Sequence, residues 1–157
     1  MKWKKETPLI KSFKEPASYY SLVTKVGPLL FVAGQIAYDP ERDIVIKGYR
    51  DLPDEEGRKL ATGRTHTDER EGRIIAQSWF IFNNTKRILE ELGSSIDNIV
   101  YTHIYMVNMD RDFPAFERVR MMFMKRDPPA STVMEVARIG VNDDCLIEYE
   151  PIAVVNE

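Results

Sequence analysis

The chain has 157 residues, 43% hydrophobic and 30% charged, which is the composition of a globular protein rather than of a disordered or fibrous one. Its 22 Lys and Arg against 25 Asp and Glu leave a net charge of −3, which argues against a nucleic-acid binder working by phosphate neutralisation. A single cysteine, Cys145, excludes an internal disulfide and any Cys-rich metal site, and no apolar run approaches the roughly 20 residues of a membrane span, so one cytoplasmic domain over residues 1–157 is expected.

Leu9 to Phe13 reads as a short first strand, ended by Glu15-Pro16. Tyr19 to Val26 and Leu29 to Ala37 are two β-rich runs separated only by Gly27-Pro28, the pattern of an antiparallel hairpin. Gly34 interrupts the second run, and a glycine there implies a bulge or a close approach of another group. From about 39 to 70 the periodicity dissolves among charges, prolines and glycines, with a short strand at Ile44 to Ile46; a loop of that length is uncommon and usually functional or mobile. Asp68 and Glu71 have capping-box spacing, and Ile75, Trp79, Phe82, Lys86, Leu89 and Leu92 then repeat at helical steps up to a stop at Gly93. Val100 to Val107 alternates as a strand. Asp112 is a candidate N-cap for a second helix with Pro114 in its first turn and Phe113, Phe116, Val119 and Phe123 as its buried stripe. Ser131 to Ala137 and Leu146 to Val155 close the chain as strands. This order predicts an α+β fold, a mixed, mainly antiparallel sheet with both helices on one face. The other face is then bare, and self-association is expected to cover it.

Gly57 to Thr65 resembles a phosphate loop only superficially, because the glycine spacing is one too long and Arg64 stands where Lys is required. His103 alternates with Tyr101 and Tyr105 and reads as an interface or core position; with His66 it makes no metal-ligand pattern. Glu148 and Glu150 stand two apart in the last strand and so share a face. Spacing alone favours a solvated face on an edge strand marked by Pro151; the alternative is that their repulsion, with burial, raises one pKa as a general acid needs.

Several pieces together carry a resemblance. They are Tyr20-Ser21 with Gly27 seven residues on, LLFVAGQI with Gly34-Gln35, Gln77 and Asn84 on the first helix, ELGSSIDNIV, Asp112-Phe113, PAST from Pro129, EVAR from Glu135, and IEYEPIAV from Ile147. In this order and spacing the chain resembles the Rid (YjgF, L-PSP) family of enamine/imine deaminases, small homotrimers with a chorismate-mutase-like α+β fold, a trimeric barrel. The resemblance implies a pocket between subunits, lined by Tyr20, with Glu148 handling protons for water and the leaving amine, and Gly34 and residues near Ser131 and Thr132 orienting the substrate. It implies no cofactor and no metal, since an imine is already an electrophile.

Three positions depart from the family pattern. Ser131 stands where an Arg grips the substrate carboxylate, Glu117 where an Asn lines the pocket, and Ala33 where a Ser precedes Gly-Gln. Loss of the Arg removes charge-assisted hydrogen bonds worth about 1.5–3 kcal/mol. The resemblance therefore implies a hydrolase releasing ammonia from a small reactive imine other than a simple 2-imino acid, or a non-catalytic metabolite-binding protein using the same cleft. Alternatively the long loop brings Arg58, Arg64 or His66 over the pocket mouth and restores positive charge there. A ribonuclease is disfavoured for want of a basic groove or a His pair.

Overall fold

The computed structural model describes residues 2–140 and 143–155; Met1, Val141, Asn142, Asn156 and Glu157 of the expected 1–157 domain lie outside them. Strands β1 (Lys5–Glu6), β2 (Val23–Val26), β3 (Leu29–Val32), β4 (Gln35–Ile36), β7 (Ile99–Met106), β8 (Ala130–Glu135) and β9 (Ile147–Val154) form one sheet. Its order is β1-β2-β3-β9-β7-β8, with β4 also on β9. All pairs are antiparallel except β7 with β8. Parallel neighbours need a crossover, and helix α3 (Met109–Phe123) supplies it. The long helix α2 (Thr65–Glu91) packs beside α3 on the same face, giving the α+β arrangement expected.

The core forms where three aromatic-rich elements meet. Phe82 of α2 has ring centroids 5.9 Å from Phe116 and 5.2 Å from Phe123 of α3, and 5.0 Å from Tyr149 of β9. Strict alternation in β9 buries Ile147, Tyr149, Pro151 and Ala153 toward the helices and turns Glu148, Glu150, Ile152 and Val154 to the opposite face.

The hairpin at Gly27-Pro28 is present, and Gly27 takes the left-handed φ of 57° that its turn requires. The second run does break at Gly34. Phe31 pairs with Ile152 and Gln35 with Tyr149, so four steps on one strand face three on the other, and one extra residue is accommodated between β3 and β4. Pro151 falls opposite this interruption. β9 is thus a central strand rather than the edge that its proline signalled, because the proline sits where the ladder is already broken.

Four local expectations are corrected. Leu9 to Phe13 is a turn rather than a strand: Phe13 donates its amide to the Ile10 carbonyl, and the Glu91 carboxylate takes the amides of Lys11 and Ser12, so three consecutive amides are lost to a ladder. The stretch from 39 to 64 is a chain of small packed elements rather than an open loop. It holds a hairpin of β5 (Tyr38–Asp39) and β6 (Ile44–Val45), a 3₁₀ turn at Tyr49–Asp51, and α1 (Glu55–Arg58), with Tyr49, Leu52 and Gly57 buried. Helix α2 begins at Thr65, and Asp68 is inside it, reaching back to the amides of Thr62 and Gly63 instead of capping the N-terminus. Helix α3 begins at Met109, capped by Asn108, whose side chain accepts from the Arg111 amide at 2.9 Å, while Asp112 is buried and paired with Arg111.

Candidate active site

Glu148 and Glu150 share the face of β9 turned away from the helices, as their spacing requires. They are half-buried there, so the face is not simply solvated. Gly34 lies directly against Glu148: a Cβ added to it would stand 1.9 Å from Oε1 and 2.8 Å from Cδ. The interruption between β3 and β4 thus puts bare backbone where the carboxyl needs room. Burial, and then the charge of Glu150, push the Glu148 carboxyl above the usual carboxylate range. Glu150 differs in its surroundings, for Tyr105 donates its hydroxyl to Oε2 at 3.2 Å and His103 Nδ1 stands 3.7 Å away. One carboxylate is therefore tied to neighbours while the other holds its proton more tightly than an exposed carboxyl does.

A second group forms on the opposite side of the sheet, between α3 and the edge strand β8. The Arg120 Nη2 lies 2.8 and 2.9 Å from the two carboxylate oxygens of Glu117, and its Nη1 is 3.4 Å from Ser131 Oγ. The Ser131 hydroxyl also accepts from Thr102 Oγ1 at 3.2 Å. Arg120 was not among the residues singled out from the sequence; its signal is the i,i+3 spacing from Glu117 on one helix. Thr132, next in the strand, points to the other face, where its hydroxyl is 2.5 Å from the Tyr101 hydroxyl.

The remaining candidates separate as well. The Ala33 amide donates to the Leu22 carbonyl at 2.9 Å, which holds the segment of Tyr20 at the Gly34 end of the hairpin; Tyr20 itself is exposed. Arg58 donates to the Leu52 carbonyl at 2.6 Å. Arg64 is the N-cap residue of α2, and His66 is exposed in its first turn. These three belong to the helical side of the molecule, packed or exposed beside α2. They are not brought to the Glu148 of their own chain: Arg58 lies on α1, which packs on α2, and Arg64 and His66 open α2 itself, while the part of the segment that approaches the face of Glu148 is the β5–β6 hairpin, whose Val45 packs among Ile36 and Tyr105. Among the described residues no group of three or more His, Cys, Asp and Glu converges as a metal site, and no helix is long and apolar enough to cross a membrane.

Residues 11–155 match the family model described as endoribonuclease L-PSP. A RutC family protein of Pyrococcus abyssi is 31% identical over 149 residues, covering 95% of this chain and 96% of its own. The 3-aminoacrylate deaminase RutC of Acinetobacter baylyi is 24% identical over 151 residues, covering 96% of this chain and 98% of its own. A solved structure from Klebsiella pneumoniae, named provisionally as an endoribonuclease, superposes with a TM-score of 0.82 at 32% identity, over 87% of this chain and 100% of that one. With residues 11–155 matched by the family model and the Pyrococcus relative 31% identical over nearly the whole length of both chains, this chain belongs to the Rid/YjgF/L-PSP family.

Proposed function

We propose that this protein is an imine or enamine deaminase-like hydrolase that needs no cofactor and releases ammonia from a small reactive imine other than a simple 2-imino acid. The observation that carries this reading is the half-buried Glu148 carboxyl, raised in proton affinity and seated against Gly34. Water adds to the imine carbon while Glu148 takes a proton from it. The same proton is returned to the nitrogen, and the carbinolamine collapses to a carbonyl and ammonia with no net change in protons. The Acinetobacter relative is named for chemistry of this class.

The site is assembled between copies of the chain. Glu148, Gly34 and Tyr20 form one half, and Glu117, Ser131 and Arg120 the other, and within a chain the two halves sit on different sides of the sheet. The open face also carries Phe31 and Met134, 41% and 39% exposed, beside Tyr101 and Ile152, an apolar surface that a homotrimer would cover. The buried Cys145 thiol is consistent with a reducing, cytoplasmic setting.

The test is ammonia release from freshly generated imines by the wild type and by Glu148→Gln. A loss of about 10²–10⁴-fold in kcat is expected for removal of an acid–base group; an undiminished rate overturns the proposal. Ser131, which cannot grip a carboxylate, favours a second reading, a non-catalytic protein binding a small metabolite in the same cleft. Ligand binding with no ammonia release from any imine would support it. Nucleic acid is not proposed as a partner, because the candidate acid–base face carries Glu148 and Glu150 and its one histidine, His103, stands beside Glu150.

A further inference from the structure

We infer that the Glu117–Arg120 ion pair makes one wall of the site electrically neutral, and that it selects substrates bearing an uncharged hydrogen-bonding group such as a primary amide over those bearing a carboxylate. This rests on the reading above that Glu117 and Ser131 line the substrate site.

The Arg120 side chain is fixed in place. It is only 20% exposed, its guanidinium carbon lies 5.7 Å from the centre of the Phe116 ring, and its head reaches from α3 to Ser131 on the edge strand. A guanidinium so placed would ordinarily mark a carboxylate site. Here the carboxylate position is occupied by the protein itself, since both Glu117 oxygens lie within 2.9 Å of Nη2. An incoming carboxylate would have to displace a tethered one or stand beside it, and like charges a few ångströms apart at protein-like dielectric cost about tenfold or more in affinity.

The hydrogen-bonding capacity that remains is mixed. Of the five guanidinium N–H groups, one on Nη2 is donated to Glu117 Oε2 and Nη1 has only the long 3.4 Å contact with Ser131, while Glu117 Oε1, though close to Nη2, is buried without a hydrogen-bond partner. Donors therefore remain beside the Glu117 oxygens, which accept, and the Ser131 hydroxyl, which does both. An amide presents a carbonyl and an NH₂ to such a wall; a carboxylate presents acceptors alone.

The experiment titrates the full-length protein with pyruvamide and with pyruvate, measuring Kd by calorimetry or ligand-observed NMR, for the wild type, Glu117→Gln, and the double variant Glu117→Gln with Arg120→Gln. The wild type is expected to prefer pyruvamide by about tenfold or more. Glu117→Gln should free Arg120 and tighten pyruvate by about tenfold, and the double variant should lose that gain. Equal or tighter binding of pyruvate by the wild type, an unchanged ratio in Glu117→Gln, or no binding of either probe overturns the inference. If the pair is merely a structural helix bridge, Glu117→Gln lowers Tm and leaves the ratio where it was, which also overturns it. The preference is read without turnover, so it stands or falls apart from the hydrolase reading, which fails instead if ammonia release is indifferent to Glu148→Gln.

Discussion

Gly34→Ala separates the position of the Glu148 carboxyl from the stability of the fold. Gly34 is not among the glycines with positive φ, so its backbone admits alanine without strain. The new methyl carbon would stand 1.9 Å from Oε1 and 3.1 Å from Cγ of Glu148, where ordinary non-bonded contacts need about 3.5 Å. The carboxyl must retreat by more than about 1 Å. It is the free end of a flexible chain, so the retreat costs no more than an off-rotamer strain of about 0.5–1.5 kcal/mol, a fall in Tm of about 5 °C or less. A 1 Å misplacement of a reacting group costs about 10²-fold in rate. Steady-state ammonia release with a melting curve on the same sample should therefore show kcat down about 100-fold with the fold nearly intact. Gly57→Ala is the opposite control: its Cβ would lie 2.5 Å from Trp79 Nε1 and 2.7 Å from Leu52 Cδ1, so Tm should fall while kcat per folded molecule holds. Gly34→Ala turning over like the wild type would refute the assignment of Glu148.

Three further outcomes follow from the same contacts. Gln77 is fully buried, donates to the carbonyls of Ile46 and Asp144, and accepts from the Leu146 amide, each at 2.8 Å; Gln77→Leu strands these backbone groups and should cost about 3 kcal/mol or more in denaturant unfolding. Asp54 caps α1 through the Gly57 amide at 2.6 Å and accepts from Trp79 Nε1 at 3.0 Å, so Asp54→Ala should cost about 1–2 kcal/mol and increase protease cutting between 50 and 60. Glu148→Gln should melt higher than the wild type at pH 7. The folded protein holds the Glu148 proton more tightly than the unfolded chain does, so its stabilising effect is complete below the ordinary carboxyl range and fades as pH rises through the raised value. The variant's advantage should shrink by pH 4, and a wild type that melts higher at pH 7 would contradict the sign.

What could be read from the sequence was whatever rests on local periodicity. The alternation of Ile147 to Val154 places Glu148 and Glu150 on one face, and Gly27, Gly34 and Gly93 mark a turn, a break and a helix end where the structure has them. What failed depended on partners distant in sequence. Leu9 to Phe13 has strand composition, but Glu91, nearly eighty residues on, takes its amides. The 39–64 segment shows no period because each of its small elements buries only one or two residues, and against different partners: Tyr49 on Gly72 and Gly57 on Trp79 of α2, but Val45 beside Ile139 and Cys145. Pro151 signals an edge, and only the pairing of β3 and β4 on β9 shows why a central strand tolerates it. At the candidate site, spacing brought out the carboxylates but could not show that Glu117, Arg120 and Ser131 meet across two elements.

The placement of Glu148 also links its chemistry to assembly. In a single chain, water still reaches the carboxyl on one side, and burial already outweighs Glu150 as the cause of its raised proton affinity. A second copy laid over this face removes that remaining water, which shifts the same group further in the same direction. The titration limb of the Glu148 carboxyl, followed by NMR rather than by rate, should then depend on protein concentration, lying at lower pH in dilute samples where chains dissociate. A limb that stays fixed while light scattering records dissociation would show that the neighbouring copy does not cover Glu148.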